Sequence, residues 1–326
     1  MKTAEASKGR GFDWNRHLRA FGAAYAFLAI VLADSLLNKN FFALNTFWNL
    51  SIQVLPVLLT ALGMLLVIST GGIDISVGSV MAVAGVLCAQ SLTGQISPGG
   101  GSVPAAMLLG LAAAILIGAF SGMLVAFFKI QPIIVTLVLY IAGRGIAQLM
   151  SDGGTIVFYG TSFNDMGVAR LPGNVPVQLV VEIVFVLAAA FLLKKSTFGY
   201  YVQAIGEHPA ASTLSGIRTK SVLVAVYALS GFMAGLAGIF TSARSSCADP
   251  NTLGALAEMD AIAAVAIGGT SMNGGKSRIM GTIFGAMIIQ LVTITINMNN
   301  IHYAYARILK GLIIIVAVYL QREKKR

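Results

Sequence analysis

The sequence predicts an all-α protein: a polytopic membrane helix bundle of about ten transmembrane helices with an internal repeat. Hydrophobic residues make up 57% of the 326 positions and charged residues only 10%, whereas soluble domains carry about 25% charged residues. The mean hydropathy is +0.83. Residues 75–128 contain no charged side chain, a length that accommodates two membrane-spanning helices of about 20 residues each. These observations exclude a soluble enzyme, a disordered protein and a secreted disulfide scaffold.

Ten membrane spans are predicted when the criterion of about 20 mostly apolar residues is applied along the chain. They cover residues 18–37, 50–70, 75–92, 103–128, 132–150, 176–193, 221–243, 258–270, 279–297 and 303–320. The first span follows five basic residues and has no small-residue cleavage site, so it is expected to be retained and is not a signal peptide. The third and fourth spans are separated by the turn-rich segment 94–102.

Two of these spans depart from a simple crossing. Only residues 71–74 separate the second span from the third, and so short a connection indicates a break at membrane depth. The eighth span is short and ends in glycine, which indicates a half-helix or a tilted helix.

The basic residues predict the orientation of the bundle. Of the 22 Lys and Arg residues, 16 lie in the connections assigned to the inner side, three in the outer connections and three within spans. Because inner loops are enriched in Lys and Arg, both termini are predicted to be cytoplasmic. The domains are then a cytoplasmic segment 1–17, a transmembrane domain 18–322 with a long inner loop at 194–220, and a cytoplasmic tail 323–326.

An internal repeat is indicated by two glycine-rich segments, 71–78 (GGIDISVG) and 268–275 (GGTSMNGG). Each follows one apolar stretch and precedes another. In transporters, broken helices at the interface of two repeats line the solute path. The match is short, and it leaves the relative orientation of the repeats open.

Several kinds of site are excluded by the sequence. Residues 269–277 resemble a phosphate-binding loop, but Thr270 occupies the position where that motif requires glycine, and no strand precedes it. No catalytic or metal-binding group is predicted, since Cys88, Cys247 and the three histidines are not at ligand spacing. The net charge of +10 is concentrated between apolar segments, which indicates membrane topology and not nucleic-acid binding.

Asp74 and Ser76 are the first candidates for lining a polar path. Asp74 is the only charged residue between Lys39 and Lys129, and a carboxylate at membrane depth is costly unless it is paired, hydrated or functional. Asp74 and Ser76 could cap the following helix by accepting hydrogen bonds from its free amides. They could also line a path for a hydroxylated solute, and the two roles can coexist.

Four further polar residues are candidates for the same path. Arg144 and Gln148 lie one turn apart on the fifth span, and Glu258 and Asp260 open the eighth span, where acids favourably meet a helix N-terminus. A purely structural role is open for each of them. The charged residues nearer to span ends are predicted to extend toward the membrane surface; they are Glu182, Arg307 and Lys310.

The inner loop 194–220 is predicted to contain a short helix that starts near Pro209 and ends at Gly216. A structured helix on the inner face of a chain with otherwise short loops indicates docking to a partner. The alternative is a helix that lies at the membrane surface.

Several segments together resemble one family. They are residues 69–79 (STGGIDISVGS), 129–132 (KIQP), 206–211 (GEHPAA), 215–217 (SGI), 258–264 (EMDAIAA) and 268–271 (GGTS). The chain resembles the membrane permease subunit of a bacterial sugar ATP-binding-cassette (ABC) importer of the ribose, xylose, arabinose and galactose type, over about residues 18–322. Residues 142–149 (AGRGIAQL) and 248–251 (ADPN) are most similar to the galactofuranose branch.

The resemblance implies a multi-pass protein of the bacterial inner membrane. Its expected partners are a second permease subunit, identical or homologous, two cytoplasmic ATPase subunits that bind ATP, and a periplasmic sugar-binding protein. The chain itself would need no cofactor. Contact with the ATPase is implied for five residues of the inner loop: Glu207, His208, Ala210, Ala211 and Gly216. Gly216 comes five positions after Ala211, whereas the signature of the wider importer superfamily places its glycine four positions after the second alanine. Individual contacts in this loop are therefore not transferred from distant importers.

The function predicted is translocation of a monosaccharide, either a pentose or a galactofuranose-like sugar, driven by ATP hydrolysis on a partner. A nucleoside permease of a related branch is one alternative. A secondary active transporter is another, but it would want a membrane-embedded ion site and would not need a docking helix. An intramembrane enzyme would require a Ser–His or metal constellation at membrane depth, and no histidine is placed there.

Overall fold

The computed structural model describes residues 14–37, 41–96, 100–159, 162–299, 302, 304–305, 308–312 and 315. The tail 323–326, most of the segment 1–17 and most of the tenth predicted span, including Arg307, lie outside these residues.

Helices dominate the described part of the chain. They are α1 (Trp14–Leu37), α2 (Leu44–Ser69), α3 (Val77–Leu92), α4 (Val103–Phe128), α5 (Pro132–Met150), α6 (Ser162–Val168), α7 (Val177–Lys194), α8 (Thr197–Glu207), α9 (Pro209–Leu214), α10 (Thr219–Ser245), α11 (Ala257–Ile267) and α12 (Ile279–Met298). Four two-residue strands accompany them: β1 (Ile156–Val157), β2 (Arg170–Leu171), β3 (Val175–Pro176) and β4 (Cys247–Ala248). The helical membrane architecture predicted from composition is therefore confirmed.

The predicted spans agree with the helices in position but not all in length. The first nine coincide with α1–α5, α7 and α10–α12. Among the described residues, six helices are long and apolar enough to cross a membrane: α2, α4, α5, α7, α10 and α12. At 11 residues, α11 is about 16 Å long, roughly half of the hydrocarbon thickness of a bilayer. The count of about ten spans is thus not confirmed, and the eighth is a half-length helix, as its short, glycine-terminated sequence indicated.

The bundle is built around α10, which packs on both α2 and α3. On their flanks, α4 covers α3 and α10, α5 covers α3, and α11 lies against α2 and α12. One close crossing joins α4 to α10, where a Cβ at Gly118 would contact the Tyr227 carbonyl oxygen and one at Gly231 would contact the Ala114 carbonyl oxygen. Small residues let these helix backbones approach closely, as is usual in membrane bundles.

The two ends of the bundle have different structures. Since α10 begins after α9 and ends before β4, the α8–α9 segment and the strands lie at opposite ends; we call these the α8–α9 end and the strand end. At the strand end, β1 pairs antiparallel with β4, and β2 forms a hairpin with β3. Apart from Pro176 of β3, which opens the sixth predicted span, the strands, α6 and α8 lie outside the ten predicted spans.

Candidate functional site

The segment between α2 and α3 is a break inside the bundle. At the end of α2, Gly71 adopts a φ of +83°, and the Gly72 amide donates to the Val67 carbonyl at 3.2 Å. This is the Schellman arrangement that ends a helix with glycine. The end of α11 is similar, because Gly269 has a φ of +79° and the Thr270 amide donates to the Val265 carbonyl at 3.4 Å.

The two glycine-rich segments therefore share a helix-ending motif. In the structure Gly71 is equivalent to Gly269, because each is the left-handed glycine that ends its helix. The alignment made from the sequence paired Gly71 with Gly268 and is therefore shifted by one residue. The segments also lie side by side, since a Cβ at Gly274 would come within 3.0 Å of the Gly71 nitrogen. The repeated segments thus meet at one place in the bundle.

Asp74 is buried in this break and accepts three hydrogen bonds. Its Oδ1 accepts from the Ser76 amide at 3.0 Å and from the Ser76 hydroxyl at 2.6 Å. Its Oδ2 accepts from the Ser230 hydroxyl of α10 at 2.8 Å. The side chain of Ser76, the N-cap of α3, makes no capping hydrogen bond. The prediction that both side chains cap α3 is therefore wrong for Ser76, whose hydroxyl is held by Asp74 instead.

Arg144, on α5, joins α3 to the segment that follows β4. Its guanidinium donates to the carbonyls of Pro250 at 2.8 Å and Leu253 at 2.7 Å, and to the carbonyl of Gly78 at 3.3 Å. One turn further along α5, Gln148 donates to Asn251 Oδ1 at 2.7 Å. All three acceptors of Arg144 are backbone carbonyl oxygens, so this side chain holds segment 250–254 against the start of α3.

Asp249 shapes the start of the same segment. Its carboxylate accepts from the Asn251 amide and from the Thr252 hydroxyl, each at 2.8 Å. Partial burial alone would raise the pKa of Asp249, but the hydrogen bonds from Asn251 and Thr252 hold that pKa below its usual range. The carboxylate therefore stays ionised and keeps the turn closed at neutral pH.

Glu258 and Asp260 have different surroundings although both open α11. Glu258 is 3% exposed, and its Oε2 has no hydrogen-bond partner among the described residues. A Cβ at Gly78 would lie 2.5 Å from that oxygen. Asp260 forms an ion pair with Lys310 at 2.9 Å. The prediction that Lys310 extends toward the membrane surface is therefore wrong.

The structure brings four of the six candidate residues to one place. Ser76 and Asp74 precede Gly78, Arg144 binds its carbonyl, and the Glu258 carboxyl lies beside it. We call these four side chains the α3 cluster. Gln148 lies one turn away on α5, and Asp260 is engaged separately by Lys310. The cluster ties α3, α5, α10 and α11 together at the break.

Two buried carboxyl groups were not among the candidates read from the sequence. Asp34 of α1 accepts from the Thr295 hydroxyl of α12 at 2.6 Å. Glu182 of α7 is 8% exposed, and its Oε1 has no partner in the described part of the chain, so the prediction that it extends to the surface is wrong. The sequence feature that could have identified both carboxyl groups is the position of each acid within an apolar span.

The five predicted coupling residues form an exposed surface at the α8–α9 end. Glu207 ends α8, His208 connects it to α9, and Ala210 and Ala211 lie in the first turn of α9. Gly216 has a φ of +83°, which agrees with a helix that ends there. All five residues are exposed, as is Leu214, which is 89% exposed.

The opposite face of this segment packs on the glycine-rich turns. A Cβ at Gly206 would contact the Ser69 carbonyl oxygen and would lie 2.5 Å from the Gly275 nitrogen. The Gly275 amide itself donates to the Ser69 carbonyl at 3.0 Å. We call this contact of Ser69, Gly206 and Gly275 the glycine junction. It joins the exposed α8–α9 surface to the break that carries Asp74.

Comparison with known proteins relates this chain to membrane permeases. Residues 46–318 match the family described as branched-chain amino acid transport system, permease component. The chain is 36% identical to the ribose import permease protein of Escherichia coli strain K12, over 99% of this chain and 100% of that protein. It is 34% identical to the galactofuranose transporter permease protein of the same strain, over 92% and 91%.

A third relative is the D-allose transport system permease protein of Escherichia coli strain K12, which is 31% identical over 98% of this chain and 96% of that protein. No solved structure matches the chain. The relatives cover nearly its full length, so the similarity extends over the break, the α3 cluster and the α8–α9 segment alike.

Proposed function

The chain belongs to the family of branched-chain amino acid transport system permease components, and on that premise we propose that it is the permease subunit of an ABC importer that translocates a monosaccharide. The observation that carries this proposal is the full-length similarity to permeases named for ribose, galactofuranose and D-allose. The substrates for which these three relatives are named are all monosaccharides. In the part of the chain that the structure describes, six apolar helices are long enough to span a membrane, and a helical bundle of this kind is the architecture that such a subunit needs.

We propose that ATP is hydrolysed on a separate partner subunit. The α8–α9 surface supports this, because it is exposed, helical and backed by the bundle. Glu207 offers a charge to a basic groove, and Ala210 and Ala211 are small enough for close approach of a partner backbone. A further permease subunit, identical or homologous, and a periplasmic sugar-binding protein complete the proposed assembly in the bacterial inner membrane, with both termini of this chain in the cytoplasm.

The proposed mechanism is alternating access driven through the glycine junction. Movement of the α8–α9 segment would shift the Ser69 carbonyl and the Gly275 amide together, since Gly206 packs on both. Ser69 ends α2 just before the break, so the shift reaches Asp74 and the α3 cluster. The proposed solute path is lined by the six candidate residues, Asp74, Ser76, Arg144, Gln148, Glu258 and Asp260. The hydrogen bonds of the α3 cluster are the contacts that would rearrange during transport.

ATP-driven uptake tests the proposed function. The complete importer is reconstituted in proteoliposomes with its binding protein outside and ATP inside, and uptake of D-ribose, D-allose, D-fructose and D-galactofuranose is measured. We expect uptake of at least one sugar that requires ATP and survives dissipation of ion gradients. Uptake of nucleosides only would replace the sugar assignment, and uptake that depends on an ion gradient without ATP would overturn the importer class.

A single substitution in α9 tests the proposed ATPase contact separately from the membrane-spanning helices. Ala211→Asp would place an unpaired carboxylate in a contact from which water is excluded, at a cost of several kcal/mol. We expect this variant to lose the ATPase subunits on purification or to lose ATP-driven uptake, while the bundle still inserts. Asp165→Ala, at the strand end, is the matched control and should retain both. Full uptake by Ala211→Asp would show that coupling runs elsewhere.

A further inference from the structure

A polar groove lies at the strand end of the bundle, away from the α3 cluster. Two cavities of about 490 and 280 Å³ adjoin there and share Asn49 and Gln53 of α2. The larger cavity is flanked by Arg170 and Arg244, and the smaller by Thr46 and Asn297. None of these six residues belongs to the predicted solute path.

The groove is formed by polar residues on facing sides of two apolar helices. Thr46, Asn49 and Gln53 are spaced by three and four residues, so they share one face of α2. On α12, Gln290 and Asn297 lie two turns apart on one face, and Gln290 Nε2 donates to Gln53 Oε1 at 3.1 Å. Polar groups on membrane-spanning helices are costly unless they meet partners, water or a solute, so this pair of stripes indicates a functional surface.

The lining has the chemistry of hydroxyl recognition. An amide offers both donors and an acceptor, which suits a sugar hydroxyl that also donates and accepts. In the part of the chain that the structure describes, the side chains of Asn49 and Asn297 make no hydrogen bond within the protein. Among the described residues, no acidic side chain lines the cavities, and neither Arg170 nor Arg244 has an acidic partner.

We propose that this groove binds a neutral monosaccharide at the strand end of the pathway, before the solute reaches the α3 cluster. The inference rests on the proposed function, and it adds a site that the sequence motifs do not contain. Amide side chains on both helices hold the sugar hydroxyls, and the two arginines of the larger cavity provide further donors. A neutral sugar is favoured over an anion because amide side chains line both cavities, whereas the arginines line only the larger one.

Thiol labelling measures binding in the assembled importer. Asn49→Cys and Asn45→Cys are compared, since Asn45 is exposed on the same helix but does not line either cavity. The chain without an added cysteine is labelled in parallel, so that the reaction of the native Cys247 can be subtracted. With the sugar that wild type takes up, chosen from D-ribose, D-allose, D-fructose and D-galactofuranose, we expect labelling of Asn49→Cys by a methanethiosulfonate reagent to slow at least threefold and that of Asn45→Cys to be unchanged. Stronger protection by ribose 5-phosphate than by the sugar would overturn the assignment to a neutral solute.

Transport kinetics provide the second measurement. Asn49→Leu and Gln53→Leu should raise the KM for sugar uptake about tenfold, whereas Asn45→Leu should leave both the KM and basal ATP hydrolysis unchanged. Asn49 is exposed, so its variant tests the groove even if Gln53→Leu fails to fold. Unchanged KM in Asn49→Leu together with no protection would overturn the groove, whereas a wild-type complex that takes up none of the sugars would overturn the proposed function and this inference with it.

Discussion

Asp74 combines a structural contact with a position in the proposed path. Its carboxylate joins the break to α10 through Ser230, and it fixes the start of α3 through Ser76. The nearby Tyr227 hydroxyl is buried with no hydrogen-bond partner among the described residues, and a Cβ at Gly72 would lie 2.6 Å from it. The cost of Asp74 at membrane depth was visible in the sequence, but its partner Ser230 was not, because the two lie 156 residues apart.

Replacing Asp74 tests whether these hydrogen bonds serve transport. In Asp74→Asn an NH2 group, which donates hydrogen bonds, replaces one carboxylate oxygen. One of the two serine hydroxyls then loses its acceptor, and leaving that hydroxyl unsatisfied costs about 1–3 kcal/mol. We expect ATP-driven sugar uptake to fall at least tenfold while the assembled complex still purifies, as judged by uptake and size-exclusion chromatography. Asp152→Asn, an exposed position, is the control. Loss of the assembled complex without a separable uptake defect would assign Asp74 a structural role only.

Arg144 should control how firmly segment 247–254 is held. Arg144→Gln removes hydrogen bonds to Pro250 and Leu253, each worth about 1.5–3 kcal/mol for a charged donor. We expect the half-buried Cys247 to react several-fold faster with a thiol reagent, and sugar uptake to decrease. Arg218→Gln, at the other end of α10, should change neither. Unaltered Cys247 reactivity in Arg144→Gln would contradict the anchoring role.

At the scale of elements, the sequence predicted helices better than their contacts. Long apolar runs locate α2, α4, α7 and α10, because a bilayer demands about 20 such residues. Proline and glycine located α9, which begins at Pro209 and precedes the left-handed Gly216. The 11-residue α8 lies outside the predicted spans since it is shorter than a span, although Phe198, Val202 and Ile205 follow a helical spacing and pack in the core.

The glycine junction makes a prediction at this scale. Gly206→Ala adds a methyl group that would overlap the Ser69 carbonyl oxygen, so α8 must move away from the ends of α2 and α11. We expect ATP hydrolysis to continue but to become uncoupled from uptake, measured as a several-fold rise in ATP hydrolysed per sugar transported. Gly145→Ala is the matched control, because no atom lies within 4 Å of a Cβ at that position.

Two other results would contradict this role of the junction. Normal stoichiometry in Gly206→Ala would show that close packing on Ser69 is not needed for coupling. Loss of bound ATPase subunits in Gly206→Ala would assign the contact to docking, since the exposed surface of α9 would then depend on it.

At the scale of the whole molecule, the charge distribution and the fold support the same arrangement. The α8–α9 end carries Lys194, Lys195, Arg218 and Lys220 around its helices, and the strand end carries Arg170 and Arg244. Composition could predict the membrane class and the approximate spans, and the short, glycine-terminated eighth span already indicated a half-helix or a tilted helix, as α11 shows. The sequence could not predict that Lys310 pairs with Asp260, because that contact joins residues 50 positions apart.

Site-directed labelling tests the predicted orientation of the bundle. Asp165 on α6 and Ser215 after α9 are both exposed and lie at opposite ends. In a Cys247→Ser background, where Cys88 is buried, we expect Asp165→Cys to react with a membrane-impermeant maleimide in intact cells. Ser215→Cys should react only after permeabilisation, because the basic α8–α9 end is predicted to be cytoplasmic. Labelling of Ser215→Cys from outside would reverse the orientation, remove the proposed ATPase surface from the cytoplasm and leave the groove at Asn49 and Gln53 on the wrong side to receive an incoming sugar.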